Sequence, residues 1–181
     1  MKEKVFSCVI NTSPWIALSA CNQTELLQDL YEIIMMPTAV KDEILAGGKN
    51  ALGVSTLKKA NWLEINDIEN ANQIKLLHEL DQGEAEVLIL AAERDACEVI
   101  LDEKVARMHA HVLGHKVIGT LGIILRAKKK GLIDRLEPLI GSICGAGIYI
   151  HKDIIRCILM EAGEYARDRA PIIQVDDYKP R

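Results

Sequence analysis

Aromatic side chains are scarce. They form 4% of the 181 residues and Phe occurs once, which argues against a base-stacking platform or an aromatic-rich β-sandwich. Cysteine is sparse and scattered: Cys8, Cys21, Cys97, Cys144 and Cys157 are odd in number and include no CxxC pair. Neither a disulfide framework nor a zinc ribbon is supported, and the five read as buried thiols in a reducing compartment. No apolar run approaches the roughly 20 residues of a membrane span, and the opening MKEKVFSCVINTSP lacks the apolar stretch of a secretory signal. The expectation is a soluble, cytoplasmic protein. Positive charge is not in excess either, since 22 Lys+Arg against 26 Asp+Glu give 22 − 26 = −4. That balance excludes a broad basic coat for nucleic acid, although not an enzyme that cuts it. Nucleotide fingerprints are missing as well. Gly119-Thr120-Leu121-Gly122 has neither the Walker spacing nor its Lys, which disfavours a small-molecule α/β protein.

What the chain does have is aliphatic mass. Apolar types make up 49% of it, enough for a real core and too much for a disordered chain. The length favours one compact domain with an appendage over two domains. Residues 4–10 read as a strand that stops at Asn11-Thr12-Ser13-Pro14, where Pro14 opens a helix capped by Thr12 or Ser13. Residues 24–31 read as a helix, 33–36 as a buried strand closed by Pro37, and TAVKDEIL from Thr38 as a helix ended by Gly47-Gly48. The spacing then predicts a short helix over 51–59, an edge strand over 62–65 and a helix over 70–80 with Ile74, Leu77 and Leu80 on one face. Residues 84–94 have the composition of a buried helix, and 98–101 form a strand ending at Asp102. An amphipathic helix over 103–113 is closed by Gly114, and the last strand, 116–118, precedes a helix opened by Gly119-Thr120. Strands and helices alternate, so the fold class is α/β, with a parallel sheet covered on both faces. After Gly131 two helical segments, 132–144 and 153–164, have no strand after either. The expected organisation is a domain over 1–131, a helical extension over 132–166 packed on it, and a polar tail over 167–181.

In an open parallel sheet, ligands bind outside the carboxyl ends of the strands. Asn11 ends the first strand and Asp102 a later one; Glu84 lies in the first turn of the core helix, and Glu43 in the helix after the second strand. Four polar groups from distant parts of the chain thus point to one cleft, and three are carboxylates. Carboxylates crowded in a partly buried cleft repel one another, and an oxygen-preferring cation such as Mg²⁺ or Mn²⁺ is the usual compensation. Such an ion polarises a phosphodiester and lowers the pKa of a bound water. Singly, each residue has a structural explanation, because Asp after a strand often caps a helix and Glu in a first turn complements the helix dipole. Asp81-Gln82-Gly83-Glu84 alone could be a turn with its N-cap. Their joint placement is what points to a site.

These residues resemble the PIN-domain family of metal-dependent ribonucleases, which includes VapC-type toxins, and more closely a branch of bacterial and archaeal PIN-like proteins. The resemblance rests on INTSPWIAL, MPTAVKDEI, DQGEAEVLILAAE, VILDEKVAR and VIGTLGIILRAKKKGLI in that order, and on the tail RLEPLIGSICGAGIYIHKDIIRCILMEAGE, so it covers nearly the whole chain. It implies a three-layer α/β/α sandwich with a parallel sheet of about five strands and an acidic pocket for Mg²⁺ or Mn²⁺. Glu43 matches the acidic residue of the second motif, Glu84 the one opening the core helix and Asp102 the one closing the following strand. Asn11 stands where most active members carry Asp, so it offers one oxygen ligand without a charge. The implied roles are metal ligation by Glu84 and Asp102, contact from Asn11, orientation of the attacking water by Glu43, and cleavage leaving a 5′-phosphate and a 3′-hydroxyl. Glu103 is the reserve carboxylate; Ser13 is placed to hydrogen-bond a phosphate or a metal ligand, which N-capping explains equally well. The partners implied are RNA, a small antitoxin protein and a second copy of the chain.

Three further features remain. His109, His111 and His115 invite a zinc reading, but the first two fall on nearly opposite helix faces and Gly114 separates the third, so surface histidines are the expectation. Arg126, Lys128, Lys129 and Lys130 could meet RNA phosphates, yet cations also favour a helix C-terminus and this run ends at Gly131. Finally, Asn11 favours an alternative from a different class, a catalytically lapsed PIN scaffold that binds RNA or protein.

Overall fold

The computed structural model describes residues 6–49 and 51–164. The first residues of the expected opening strand and the polar tail over 167–181 lie outside the described residues. Five strands, β1 (Ser7–Ile10), β2 (Ile33–Pro37), β3 (Leu63–Asn66), β4 (Glu98–Ile100) and β5 (Val117–Ile118), pair in parallel in the order β3-β2-β1-β4-β5. Between them run α1 (Thr12–Ala20), α2 (Leu26–Leu30), α3 (Thr38–Ala46), α4 (Val54–Lys59), α5 (Gln82–Glu93) and α6 (Lys104–Val112). The result is a three-layer α/β/α sandwich, as the alternation of periods requires.

The strand order decides where function can sit. From β1 the chain moves outward through β2 to β3, then crosses back to place β4 on the other side of β1. The crevice between the carboxyl ends of β1 and β4 is therefore the topological switch point, the ligand position of open α/β sheets. Asn11 and Leu101-Asp102 follow those two strands directly, and the Asn11 N–H donates to the Ile100 carbonyl at 3.2 Å.

The core explains why these segments are ordered. Cys8, Val9, Ile10, Val99 and Ile100 are fully buried in the central strands, and every residue from Gly83 to Ala91 of α5 is buried, so the body of that helix has no solvent face. Truncating Leu88 or Leu90 there to Ala costs about 2–5 kcal/mol. Trp15 of α1 is fully buried and its indole N–H donates to the Gly53 carbonyl at 3.1 Å. Gly53 has φ +85° and a Cβ would stand 3.0 Å from the Trp15 ring, so glycine is required twice over.

The described residues fall into two compact units that divide between Thr120 and Leu121. The second unit carries nearly all of α7 (Thr120–Lys129), then α8 (Glu137–Gly145) and α9 (Lys152–Glu161). Glu164 ties it together: its carboxylate accepts the backbone N–H groups of Leu136 at 2.6 Å and Glu137 at 2.9 Å, where α8 begins, and pairs with Lys128 of α7 at 2.5 Å. Burial pushes this carboxyl up, but the hydrogen bonds and the Lys128 charge outweigh it and hold the group below the usual carboxylate range.

Four local expectations need correction. The first helix starts at Thr12, with Asn11 as its cap residue, not at Pro14 behind a Thr12 or Ser13 cap; Pro14 instead occupies the first turn, where its missing N–H costs nothing. Residues 70–80 form only a 3-10 turn, Ala71–Leu76, because none of its residues is buried and nothing rewards a longer helix. The helix expected from residue 132 begins at Glu137, with Pro138 in its first turn. The thiols are not all buried: Cys157 is exposed because Ile155 and Leu159 turn the opposite side of α9 inward. Among the described residues no helix is long and apolar enough to cross a membrane.

Candidate active site

Asn11 leaves β1 with an extended backbone and accepts the Trp15 N–H on its carbonyl, the first turn of α1. Its side chain caps nothing. The residue is only 5% exposed, and its Oδ1 is buried with no hydrogen-bond partner. A buried carbonyl oxygen left unpaired costs about 1–3 kcal/mol, so this atom is poised for a ligand that the fold itself does not supply.

Beside it, Thr12 of α1 donates its hydroxyl to Glu43 Oε2 of α3 at 2.5 Å, fixing that otherwise exposed carboxylate toward the end of β1. Glu43 can come this close to α5 because residue 83 is glycine; a Cβ there would lie 3.2 Å from Glu43 Oε2. Glu84 follows. It is buried in the first turn of α5 within a capping box, its N–H donating to Asp81 Oδ1 at 2.8 Å while its Oε2 accepts the Asp81 N–H at 3.3 Å. Burial pushes the Glu84 carboxyl above the usual carboxylate range, and repulsion from Asp81, Glu103 and Glu43 adds to it. The structure thus brings Glu43, Glu84 and Glu103 into one electrostatic field, together with Asp81, which the sequence offers only as a turn and N-cap residue.

Asp102 stands at the same edge in a different setting. Its Oδ1 accepts the Thr120 N–H at 2.8 Å and its Oδ2 the Thr120 hydroxyl at 2.5 Å, which joins the end of β4 to the start of α7. It exerts no resolved influence on Glu84. Glu103 caps α6, accepting the N–H groups of Lys104 and Val105. Ser13 is exposed on the first turn of α1. In the second unit Lys128 and Lys129 are paired with Glu164 and Glu161, each at 2.5 Å, Lys130 is exposed, and Arg126 is half-buried. His109 meets Glu79 at 2.9 Å, His111 is exposed and His115 is half-buried with its Nε2 unpaired, so the three share no site.

Several participants escaped the sequence. Thr12 read as a cap; its link to Glu43 spans 31 positions and no local pattern announces it. Glu86, one turn along α5 from Gln82, is 7% exposed and accepts the Ala39 N–H at 3.3 Å and the Gln82 amide at 2.9 Å, which locks the start of α3 to α5. Asn66, ending β3, carries a second buried, unpaired Oδ1.

The donor set is all oxygen, which suits a hard divalent cation and not zinc. Among the described residues no three His, Cys, Asp or Glu side chains are close enough to hold an ion by themselves. The unpaired amide oxygen of Asn11 and the mutually repelling carboxylates around Glu84 are each a feature that a positive charge relieves, and their chemistry fits such an ion.

No curated protein matches the chain. A family model described as PIN domain matches residues 7–164, from the first residue of β1 to the glutamate that ties the second unit together. The chain belongs to the PIN-domain family.

Proposed function

We propose that this protein is a Mg²⁺- or Mn²⁺-dependent ribonuclease that hydrolyses RNA phosphodiester bonds. The observation that carries the reading is Asn11 Oδ1, buried and unpaired at the switch point; Glu84, whose pKa is raised by burial and by repulsion from Asp81, Glu103 and Glu43, supports it. Asn11, Glu84 and Asp102 would hold such an ion, which would supply Lewis acidity toward a phosphate oxygen and toward water. Asp102 retains ligating capacity despite its two bonds from Thr120, because a carboxylate offers about four lone-pair positions. Glu43, held at one oxygen by Thr12, keeps the other free to orient the attacking water and take its proton. Glu103 adds negative charge and strengthens the demand for a cation. The family resemblance extends the proposal to a homodimeric toxin restrained by a small antitoxin.

Incubation of the purified protein with Mn²⁺ and varied RNAs tests this. The expected result is cleavage to 5′-phosphate ends, lost in Asp102→Ala; intact RNA throughout, and no effect of the substitution, would refute it. A second reading, a scaffold that binds RNA without cutting it, is favoured by Asn in place of an acidic residue at position 11. Asn11→Asp separates the two, since it would create cleavage in a lapsed site and only modulate it in an active one.

A further inference from the structure

The carboxyl edge of the sheet collects Glu43, Asp81, Glu84, Asp102 and Glu103, yet a cation, Arg107, is also held there in a fixed position. Arg107 lies on the first turns of α6, half-buried, and donates from Nη1 to the Leu101 carbonyl at 2.8 Å. That carbonyl follows β4, where the ladder ends, so the bond anchors the guanidinium beside the switch point. Gly119 marks how close it comes to the site. A Cβ on residue 119 would stand 2.8 Å from Asp102 Oδ1 and 3.0 Å from Arg107 Nη1, so both groups border the same bare backbone. Among the described residues Arg107 and Asp102 share no hydrogen bond; the guanidinium is held by the Leu101 carbonyl and the Asp102 oxygens accept from Thr120.

A guanidinium has five N–H donors, and among the described residues Arg107 makes one hydrogen bond. The arginine is thus oriented by a neutral carbonyl and keeps its charge and most of its fork for something else. An anionic strand entering a cleft of five carboxylates needs such a contact, and the planar fork matches two oxygens of a phosphate. We infer that Arg107 binds an RNA backbone phosphate next to the scissile bond and sets the position of the strand. This rests on the ribonuclease reading above. Arg107 is a substrate-binding residue in it, distinct from the carboxylates that handle metal and water.

The test is fluorescence anisotropy with a labelled single-stranded RNA, over a salt series, on the full-length protein with its metal removed by EDTA so that nothing is cut. Arg107→Ala is expected to weaken binding about tenfold, the loss of one charge-assisted contact, and to lower the salt slope by about one. Lys58→Ala, which removes an exposed cation from α4, serves as the charge control and is expected to bind like the wild type. Arg107→Lys keeps a donor for Leu101 and replaces Arg107→Ala as the deciding variant if thermal melting shows the latter to be unfolded. Its expected signature is intermediate affinity with an unchanged salt slope, and, when Mn²⁺ is restored, a raised KM with kcat nearly preserved. Binding by Arg107→Ala and Arg107→Lys equal to that of Lys58→Ala would overturn the assignment. Failure of the wild type to cleave with Mn²⁺ would overturn the ribonuclease reading instead, and the anisotropy series would still decide Arg107.

Discussion

Glu84 in the first unit and Glu164 in the second are both withdrawn from water beside the first turn of a helix, and their carboxyls are shifted in opposite directions. Glu164 has two backbone N–H donors and Lys128, so its charge is fully answered and it acts as a clasp. Glu84 has one longer backbone bond at 3.3 Å and the carboxylates of Asp81, Glu103 and Glu43 around it. The fold tolerates that arrangement at a cost to stability. The contrast separates a structural carboxylate from one kept in reserve for a ligand, because perturbed, unanswered charge gathers where chemistry is done.

Replacing each member tests the contrast, and the largest effect is on catalysis. Glu84→Gln preserves the capping box through its carbonyl oxygen and is expected to reduce RNA cleavage by about 10²-fold or more, measured under single-turnover conditions. Glu164→Gln is expected to leave the cleavage rate of folded protein unchanged. Stability reverses the ranking: Glu164→Ala strands two N–H groups and Lys128 and should cost about 2–4 kcal/mol in urea unfolding. Gly119→Ala comes next, since a methyl 2.8 Å from Asp102 Oδ1 must displace either that carboxylate or Arg107. The expected loss is about 1–3 kcal/mol, accompanied by weaker RNA cleavage.

The pH dependence is the subtlest effect. The Glu164 pKa lies lower folded than unfolded, so the unfolded chain binds the proton first. Its contribution is present above the ordinary value of 4.5 and is lost as pH falls through the folded value. Melting temperatures of wild type and Glu164→Gln should therefore differ most at neutral pH and converge as the solution is acidified through that window.

Much of this was legible in the sequence because it is local. Buried runs such as Val9-Ile10 and Val99-Ile100, the glycine stops and the Asp81-to-Glu84 turn with its N-cap are read from neighbours along the chain, and they give the strands, their α/β alternation and the edge on which Asn11, Glu84 and Asp102 fall. The contacts that finish the site are long-range. Thr12 with Glu43, Thr120 with Asp102 and Ala39 with Glu86 join residues 31, 18 and 47 positions apart, and no periodicity encodes them. The 70–80 segment misled for a related reason: Ile74, Leu77 and Leu80 have helical spacing, but each is only half-buried, too little to hold a full helix.

The central claim is that Glu84 carries charge meant for a cation. Isothermal titration of Mn²⁺ into wild type, Glu84→Gln and Glu164→Gln addresses it directly. The account predicts binding by wild type and Glu164→Gln, weakened about 10–100-fold in Glu84→Gln. Equal Mn²⁺ affinity in all three proteins, or none in the wild type, would contradict it.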